Sequence, residues 1–354
     1  MDKKPGDERM KQWLISYWQE ICTFILTLLI GATLISLIHE NRSLDKEVSI
    51  ESSITVASTN EVSTSERVSY QQIETLVDES LNIPYNYTRM QADGVEAAAL
   101  DELKDLPLET LIQEVLEELA IQEHNISLAY YNYLDGETYY INANTPRIAG
   151  SIYKFPLVAM YLEDIKLGKL TKESVIPETV PYQEQGMPPA QSGYGHNTLE
   201  ELMNVSIQHS HNAAAWRLVF YRFDTWAAFQ KALADFGNID PLPANYQGDN
   251  YMTAYQTLSS LYRVANDPDT YESLIQDMLN AEEPRLLSAY LTEGMACKYG
   301  QVDQVVNDAG IYFLDNQPIY LLTVFTDNVP NAYRLLSVLN LRINEWIYVN
   351  HLSS

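Results

Sequence analysis

The apolar positions of this chain change period several times. Residues 21–38 carry no charged side chain. As a helix rising roughly 1.5 Å per residue, that run spans about 27 Å, near the hydrocarbon thickness of a bilayer. Beyond it the pattern dissolves. Residues 51–60 are rich in Ser and Thr and show no apolar stripe, a composition that buries too little surface to offset chain entropy. Residues 70–104 are partly helical in pattern, through Ile73, Leu76, Val77 and Leu81. From Pro107 the pattern is that of a folded domain. Leu108, Leu111, Ile112, Val115, Leu116 and Leu119 keep helical spacing. Residues 127–134 and 138–142 flank Asp135-Gly136 and predict a hairpin. A helix over 151–167 is ended by Gly168, and a loop rich in Pro, Gly and Gln covers 181–195. Helices are expected at 198–210, 212–221, 224–236 and 253–265. A second hairpin follows from 310–314 and 319–326, then a closing helix at 335–349. Strands at both ends with helices between them predict an α+β domain, its sheet assembled from distant segments beside a helical lobe.

The flanks of the uncharged run give it a direction. Trp13, Tyr17 and Trp18 precede it, where amphipathic aromatics favour the membrane interface. Lys3, Lys4, Arg9 and Lys11 lie upstream, while Arg42 and Lys46 are the only lysines or arginines downstream before Arg67. This bias predicts a cytoplasmic N-terminus (1–20), a transmembrane signal-anchor (21–38), a stalk (39–104) and an extracellular domain (105–354). The rival is a cleaved signal peptide, but residues 34–38 offer no small-x-small cleavage site. A formal net charge of −26 repels phosphate backbones and argues against nucleic acid as a partner. The two cysteines, Cys22 and Cys297, are too far apart in setting for an internal disulfide. An exported domain without disulfides points to a bacterial surface, Gram-positive in particular.

Three short motifs then stand out: Ser151-Ile152-Tyr153-Lys154, Ser210-His211-Asn212 and Lys298-Tyr299-Gly300. Each alone is weak. Ser43-Leu44-Asp45-Lys46, Ser80-Leu81-Asn82 and Lys166-Leu167-Gly168 repeat the same patterns in settings with no chemistry. The order and context of the first three carry more. Ser151 opens a predicted helix, so Lys154 shares its face and can act as its base. Free N–H groups of the helix start can hold an oxyanion. Ser210 can relay a proton to a leaving amine, and Asn212 can bind a substrate amide. Lys298 can attract a substrate carboxylate and lower the pKa of Lys154. Gly300 lets substrate approach the backbone, and the Gln301 N–H can complete the oxyanion hole. The bland alternatives are two helix caps and an edge-strand lysine beside a bulge glycine.

With their surroundings, Ala149-Gly150-Ser151-Ile152-Tyr153-Lys154-Phe155-Pro156, Ser210-His211-Asn212-Ala213-Ala214 and Lys298-Tyr299-Gly300 followed by Asn307-Asp308-Ala309-Gly310, these motifs resemble the penicillin-recognising serine enzymes, especially relatives of class A β-lactamases. The resemblance runs from about Leu108 to the C-terminus. It implies a β-lactamase/transpeptidase-like fold, with a mainly antiparallel sheet beside an all-helical lobe and Ser151 in the cleft. It also implies Ser151 as nucleophile, Lys154 as base and Ser210 as proton relay. Three departures qualify it. His211 stands where the family has Asp, and Tyr299 where it has Thr or Ser. The Glu-x-x-Leu-Asn loop that releases the acyl group in class A enzymes is absent between Asn212 and Lys298. The nearest match, Asp240-Pro241-Leu242-Pro243-Ala244-Asn245, makes Asp240 a candidate release base. No cofactor is implied, and the His209-x-His211 pair lacks a third metal ligand of suitable spacing. The expected substrate is a D-alanyl peptide of the wall or a β-lactam. A non-catalytic binding module and a true β-lactamase are the alternatives.

Overall fold

The computed structural model describes residues 83–182, 197–282 and 285–352, all within the unit Ile73–Ser354. The expected anchor, the stalk up to Asn82 and most of the 181–195 loop lie outside the described residues. Among the described residues, no helix is long and apolar enough to cross a membrane.

Two short helices, α1 (Tyr87–Ala92) and α2 (Leu100–Leu103), lead into α3 (Leu108–Glu118). Strands β1 (Ile126–Asn132), β2 (Thr138–Ile141) and β3 (Arg147–Ile148) come before helix α4 (Lys154–Lys166). The helical lobe continues with α5 (Leu199–Gln208), α6 (Asn212–Arg222) and α7 (Trp226–Phe236), then β4 (Tyr251–Met252), α8 (Ala254–Ala265) and α9 (Pro268–Leu279). The chain closes with β5 (Met295–Val302), β6 (Val305–Leu314), β7 (Gln317–Thr326) and α10 (Ala332–Ile347).

Local chemistry sets these boundaries. Thr198 and Glu201 form a reciprocal capping box at the start of α5. The hydroxyls of Thr225 and Thr253 cap α7 and α8. Asp267 caps α9, with Pro268 in the first turn, where its missing N–H is harmless. The β6–β7 hairpin turns through Asp315 and Asn316, both at positive φ (50° and 62°). That geometry suits a two-residue turn matched to strand twist.

Five strands form an antiparallel sheet in the order β2-β1-β7-β6-β5. Its two faces alternate as a pleat requires. Ala129, Ala296, Ala309, Ile311, Leu321 and Phe325 pack against the helical lobe. Leu128, Tyr130, Met295, Tyr320, Leu322 and Val324 pack against α3 and α10. Helix α4 is buried from Lys154 through Leu162, so it serves as the lobe's central post rather than a surface helix.

Two expectations need correction. The stalk was expected to reach residue 104, but residues 83–104 belong to the folded unit. Ile83, Tyr85, Met90, Val95 and Leu103 are buried in the core shared with α10. The Met90 side chain is fully enclosed, which stabilises by about 1.5–3 kcal/mol. Backbone bonds from Asn86 N–H to Tyr290 O and from Thr292 N–H to Pro84 O fasten this strap to the segment before β5. The folded unit therefore begins earlier than residue 105. Second, Ser151 does not lie in the α-helix itself. It sits in a 3-10 turn, Gly150–Tyr153, that feeds α4.

Candidate active site

The serine turn is held on three sides. From the sheet, buried Asn307 donates to Ile148 O at 2.8 Å and Ala149 O at 3.3 Å, while its own oxygen accepts the Thr326 N–H at 2.8 Å. From the β4 side, the Asn250 side-chain amide donates to Gly150 O at 2.7 Å, and the Asn250 backbone carbonyl accepts the Ala149 N–H at 2.9 Å. Strand β5 closes the third side. Gly150 has φ +59°, a conformation glycine enters without strain. A Cβ there would lie 2.7 Å from the Gln301 nitrogen. A Cβ on Gly300 would lie 2.1 Å from Ala149 O and 2.9 Å from the Ser151 nitrogen. The two glycines let β5 press backbone to backbone against the turn, which sets the Ser151 and Gln301 nitrogens beside one another. Paired N–H groups of this kind can hold a developing oxyanion.

The three motifs converge. Lys154 is fully buried; its Nζ donates to Ser210 O at 2.6 Å, Asn212 Oδ1 at 2.7 Å and Ser210 Oγ at 3.2 Å. Lys298, also fully buried, donates to the same Ser210 Oγ at 3.0 Å and to Tyr299 O at 3.1 Å. One hydroxyl therefore sits between two amines drawn from opposite sides of the cleft. Burial lowers the Lys298 pKa to about 7, with Arg285 adding to the shift and Asp308 opposing it. Burial pushes Asp308 the other way, up to about 7, against the Leu287 and Ala309 N–H groups that its carboxylate accepts. Ser210 itself has φ +52°, uncommon for a residue with a side chain. His211 Nδ1 accepts the Ala214 N–H at 3.1 Å, so the imidazole caps α6. The imidazole supplies the acceptor that caps this helix, as the expected Asp would.

Ser151, Asn212 and Gln301 line one cavity of about 390 Å³. Lys154, Ser210, Lys298 and Gly300 do not line it, and two further expected residues line other cavities. Tyr299 packs on the opposite face of β5, its ring 4.5 Å from the Arg285 guanidinium and 4.2 Å from Lys298 Nζ. It lines a separate cavity with Cys297 and Asp308. Strand alternation is the reason: Lys298 and Gly300 face the serine turn, so the residue between them faces away. Asp240 lines a third cavity, with Asn144, Pro146 and Tyr255. After α7 the chain joins the lining of the Ser151 cavity only at residues 248–250. In its place the Ser151 cavity has Asp249 and Asn250, with Tyr153, Tyr182, Trp216 and Trp226 as an aromatic wall. Sequence motifs do not reveal these residues. The one available signal is that Asn250 immediately precedes a strand that pairs with the strand before Ser151, Ile148 opposite Tyr251.

A family model described as the beta-lactamase enzyme family matches residues 107–341. No curated protein sequence matches the chain. Among solved structures, PBP-A superposes with a TM-score of 0.55 at 20% identity, over 69% of this chain and 97% of that one. PBP-A captured as an acyl-enzyme with penicillin G gives 0.56 at 18%, over 68% and 97%. A beta-lactamase from Chitinophaga pinensis gives 0.55 at 18%, over 67% and 98%. Those likenesses carry the fold, and the family match carries the assignment: this chain belongs to the beta-lactamase enzyme family.

Proposed function

We propose that the protein is a membrane-anchored serine hydrolase working outside the cell, which forms an acyl-enzyme on Ser151 with a D-alanyl peptide or a related amide. The observation that carries this reading is the meeting of Lys154 and Lys298 on the Ser210 hydroxyl, beside the serine turn. In this mechanism Lys154, as the neutral amine with one of its three contacts given up, takes the proton of Ser151 Oγ as that oxygen attacks the amide carbonyl. The Ser151 and Gln301 N–H groups receive the oxyanion. Ser210 delivers a proton to the departing amine and is re-protonated through the lysines. Lys298, which retains much of its charge near neutrality, attracts the substrate carboxylate, and Asn212 orients the substrate amide. The uncharged run at 21–38 with its basic upstream flank supports the anchor.

Release of the acyl group is the slow step in this reading. The reason is the absence between Asn212 and Lys298 of the Glu-x-x-Leu-Asn loop that releases the acyl group in class A enzymes. A fluorescent penicillin should label the wild type and leave Ser151→Ala unlabelled; labelling that survives the substitution removes Ser151 from the role. One observation favours a second reading, a true β-lactamase: Asp249 is among the residues that line the Ser151 cavity, and an aspartate there could activate water. That reading requires rapid turnover of a chromogenic cephalosporin, lost in Asp249→Asn. A folded wild type that forms no adduct with any β-lactam or D-alanyl thioester overturns both and leaves a binding module.

A further inference from the structure

Tyr299 belongs to the third motif, yet it faces away from the serine turn and stands where the family has Thr or Ser. Two cations lie against its ring. Lys298 Nζ is 4.2 Å from the ring centroid, and the Arg285 guanidinium is 4.5 Å from it. A cation is drawn to the negative face of an aromatic ring, most strongly where water is excluded. Lys298 is fully buried.

The other surroundings of Lys298 leave its charge finely balanced. Its oxygen partners, Ser210 Oγ at 3.0 Å and Tyr299 O at 3.1 Å, carry no formal charge. Lys154, on α4, shares the Ser210 hydroxyl. Asp308, on β6, attracts the Lys298 proton, and Arg285, before β5, opposes it. Cys297, its neighbour on β5, stays a neutral thiol because burial pushes its pKa up. A carboxylate in direct contact would keep the amine charged far above neutrality, whereas burial without any partner would discharge it. An aromatic face lies between those extremes. With Lys298 at about 7, a change of about one unit decides its charge at neutral pH.

A strained turn holds the second cation on the ring. Leu286 has φ +57°, rare for a residue with a side chain. Two buried side chains pin the residue after it. Asp308 accepts the Leu287 N–H at 3.1 Å, and the Asn340 amide donates to Leu287 O at 2.6 Å. Strain of this kind persists only where the surroundings over-determine it. The turn thereby keeps Arg285 packed on Tyr299, and Tyr299 beside Lys298.

We propose that Tyr299 is a positioning residue for Lys298: its ring keeps the ammonium charged and seated on the Ser210 hydroxyl. Its part in turnover rests on the reading of Ser151 as acyl acceptor, but its effect on the lysine can be measured without acylation. In the full-length protein, with lysines isotopically labelled at Cε, the Lys298 resonance would be followed against pH and identified by its loss in Lys298→Met. Tyr299→Leu should lower the midpoint by about one unit. Tyr299→Phe keeps a ring and should hold the midpoint within a few tenths of a unit. A fluorinated phenylalanine at position 299 keeps the ring's shape but withdraws charge from its face, so it should lower the midpoint as leucine does. That variant decides the matter if the leucine variant does not fold. The alkaline fall in penicillin labelling should move to lower pH by the same amount in each case. A midpoint unmoved by the fluorinated ring, or lowered equally by phenylalanine, overturns the proposal. If the midpoints move as expected while wild type takes no penicillin, the serine reading falls and the hold of Tyr299 on Lys298 stands.

Discussion

Among the described residues, Glu345 on one side of the sheet and the Lys154–Lys298 pair on the other are completely buried, and they use their charge differently. On α10, Glu345 is fully buried but surrounded by donors: Arg342 at 2.7 Å, the Tyr85 hydroxyl at 3.0 Å and the Ala98 N–H at 3.0 Å. Burial raises its pKa, and these partners oppose the shift. Two of the three come from the strap at 83–104, so the charge fastens one segment to another. Across the sheet, Lys154 and Lys298 meet the oxygens of a serine and an asparagine instead. Among the described residues, Lys298 has no carboxylate within ion-pair distance, and burial brings its pKa to about 7. A buried charge surrounded by complementary partners fixes structure. A buried cation titrating near neutrality, placed on a hydroxyl beside a nucleophile, fits proton transfer.

Swapping the two sites tests that division most strongly. In Lys298→Met, acylation by a fluorescent penicillin should fall about 10²–10⁴-fold. Its unfolding temperature should stay at or above that of wild type, because an apolar chain of similar length replaces a buried amine. Glu345→Ala should do the reverse. It leaves Arg342, Tyr85 and the Ala98 N–H without their acceptor and should cost about 3–5 kcal/mol in denaturant unfolding. Its acylation rate per folded molecule should be unchanged. An unfolded Lys298→Met, or a slow Glu345→Ala, would break the comparison.

Gly300→Ala attacks the geometry rather than the charge. The new Cβ would sit 2.1 Å from Ala149 O, so β5 must move away from the serine turn. Overpacking of this kind costs about 1–3 kcal/mol. A shift of about 1 Å in the paired N–H groups should cost on the order of 10²-fold in acylation, read by stopped-flow labelling.

The pH profile sharpens the comparison more gently. Lys298 titrates at about 7 in the folded protein and at about 10.4 when unfolded. Between those values the folded state binds fewer protons, so this group makes stability rise with pH from about 7 to 10. Asp308, raised to about 7, acts in the opposite sense, and its contribution is lost as pH rises from about 4 to 7. For acylation, loss of the Lys298 charge predicts a fall above about pH 7. Asp308→Asn removes an attraction that helps hold that proton, so the fall should move to lower pH. A limb that does not move belongs to another group.

How much of this was legible in the sequence depends on how local each feature is. The hairpin turns, the helix start near 198 and the stripe of α3 are written within a few residues, and the structure follows them. Helix α9 escapes the periodicity reading, although Tyr271, Leu274, Ile275 and Met278 keep its spacing and Asp267-Pro268 opens it. The strap escapes because its buried residues are spread too sparsely to show a period. In the site, the motif residues announce themselves by type and order. The facing of Tyr299 follows from strand alternation once β5 is recognised. Asn250, Trp216 and Trp226 carry no such mark. Their roles arise from the β3–β4 pairing and from helices meeting in space, contacts that no short motif records.

The smallest expected effect separates structure from chemistry inside the second motif. His211 lies between Ser210 and Asn212, both of which touch Lys154. Its imidazole caps α6 through the Ala214 N–H. Together with the left-handed turn at Ser210, that cap fixes how the chain leaves α5 and enters α6. His211→Ala removes the cap and should cost about 1 kcal/mol, measured by thermal or denaturant unfolding. Acylation should drop less than tenfold, because Ser210 and Asn212 remain on the lysine. His211→Asp should restore both, since a carboxylate caps equally well and is favoured at a helix start. Rescue by aspartate would make the imidazole a cap alone. A loss beyond a hundredfold in the alanine variant, unrescued by aspartate, would instead give the ring a direct part in moving the proton.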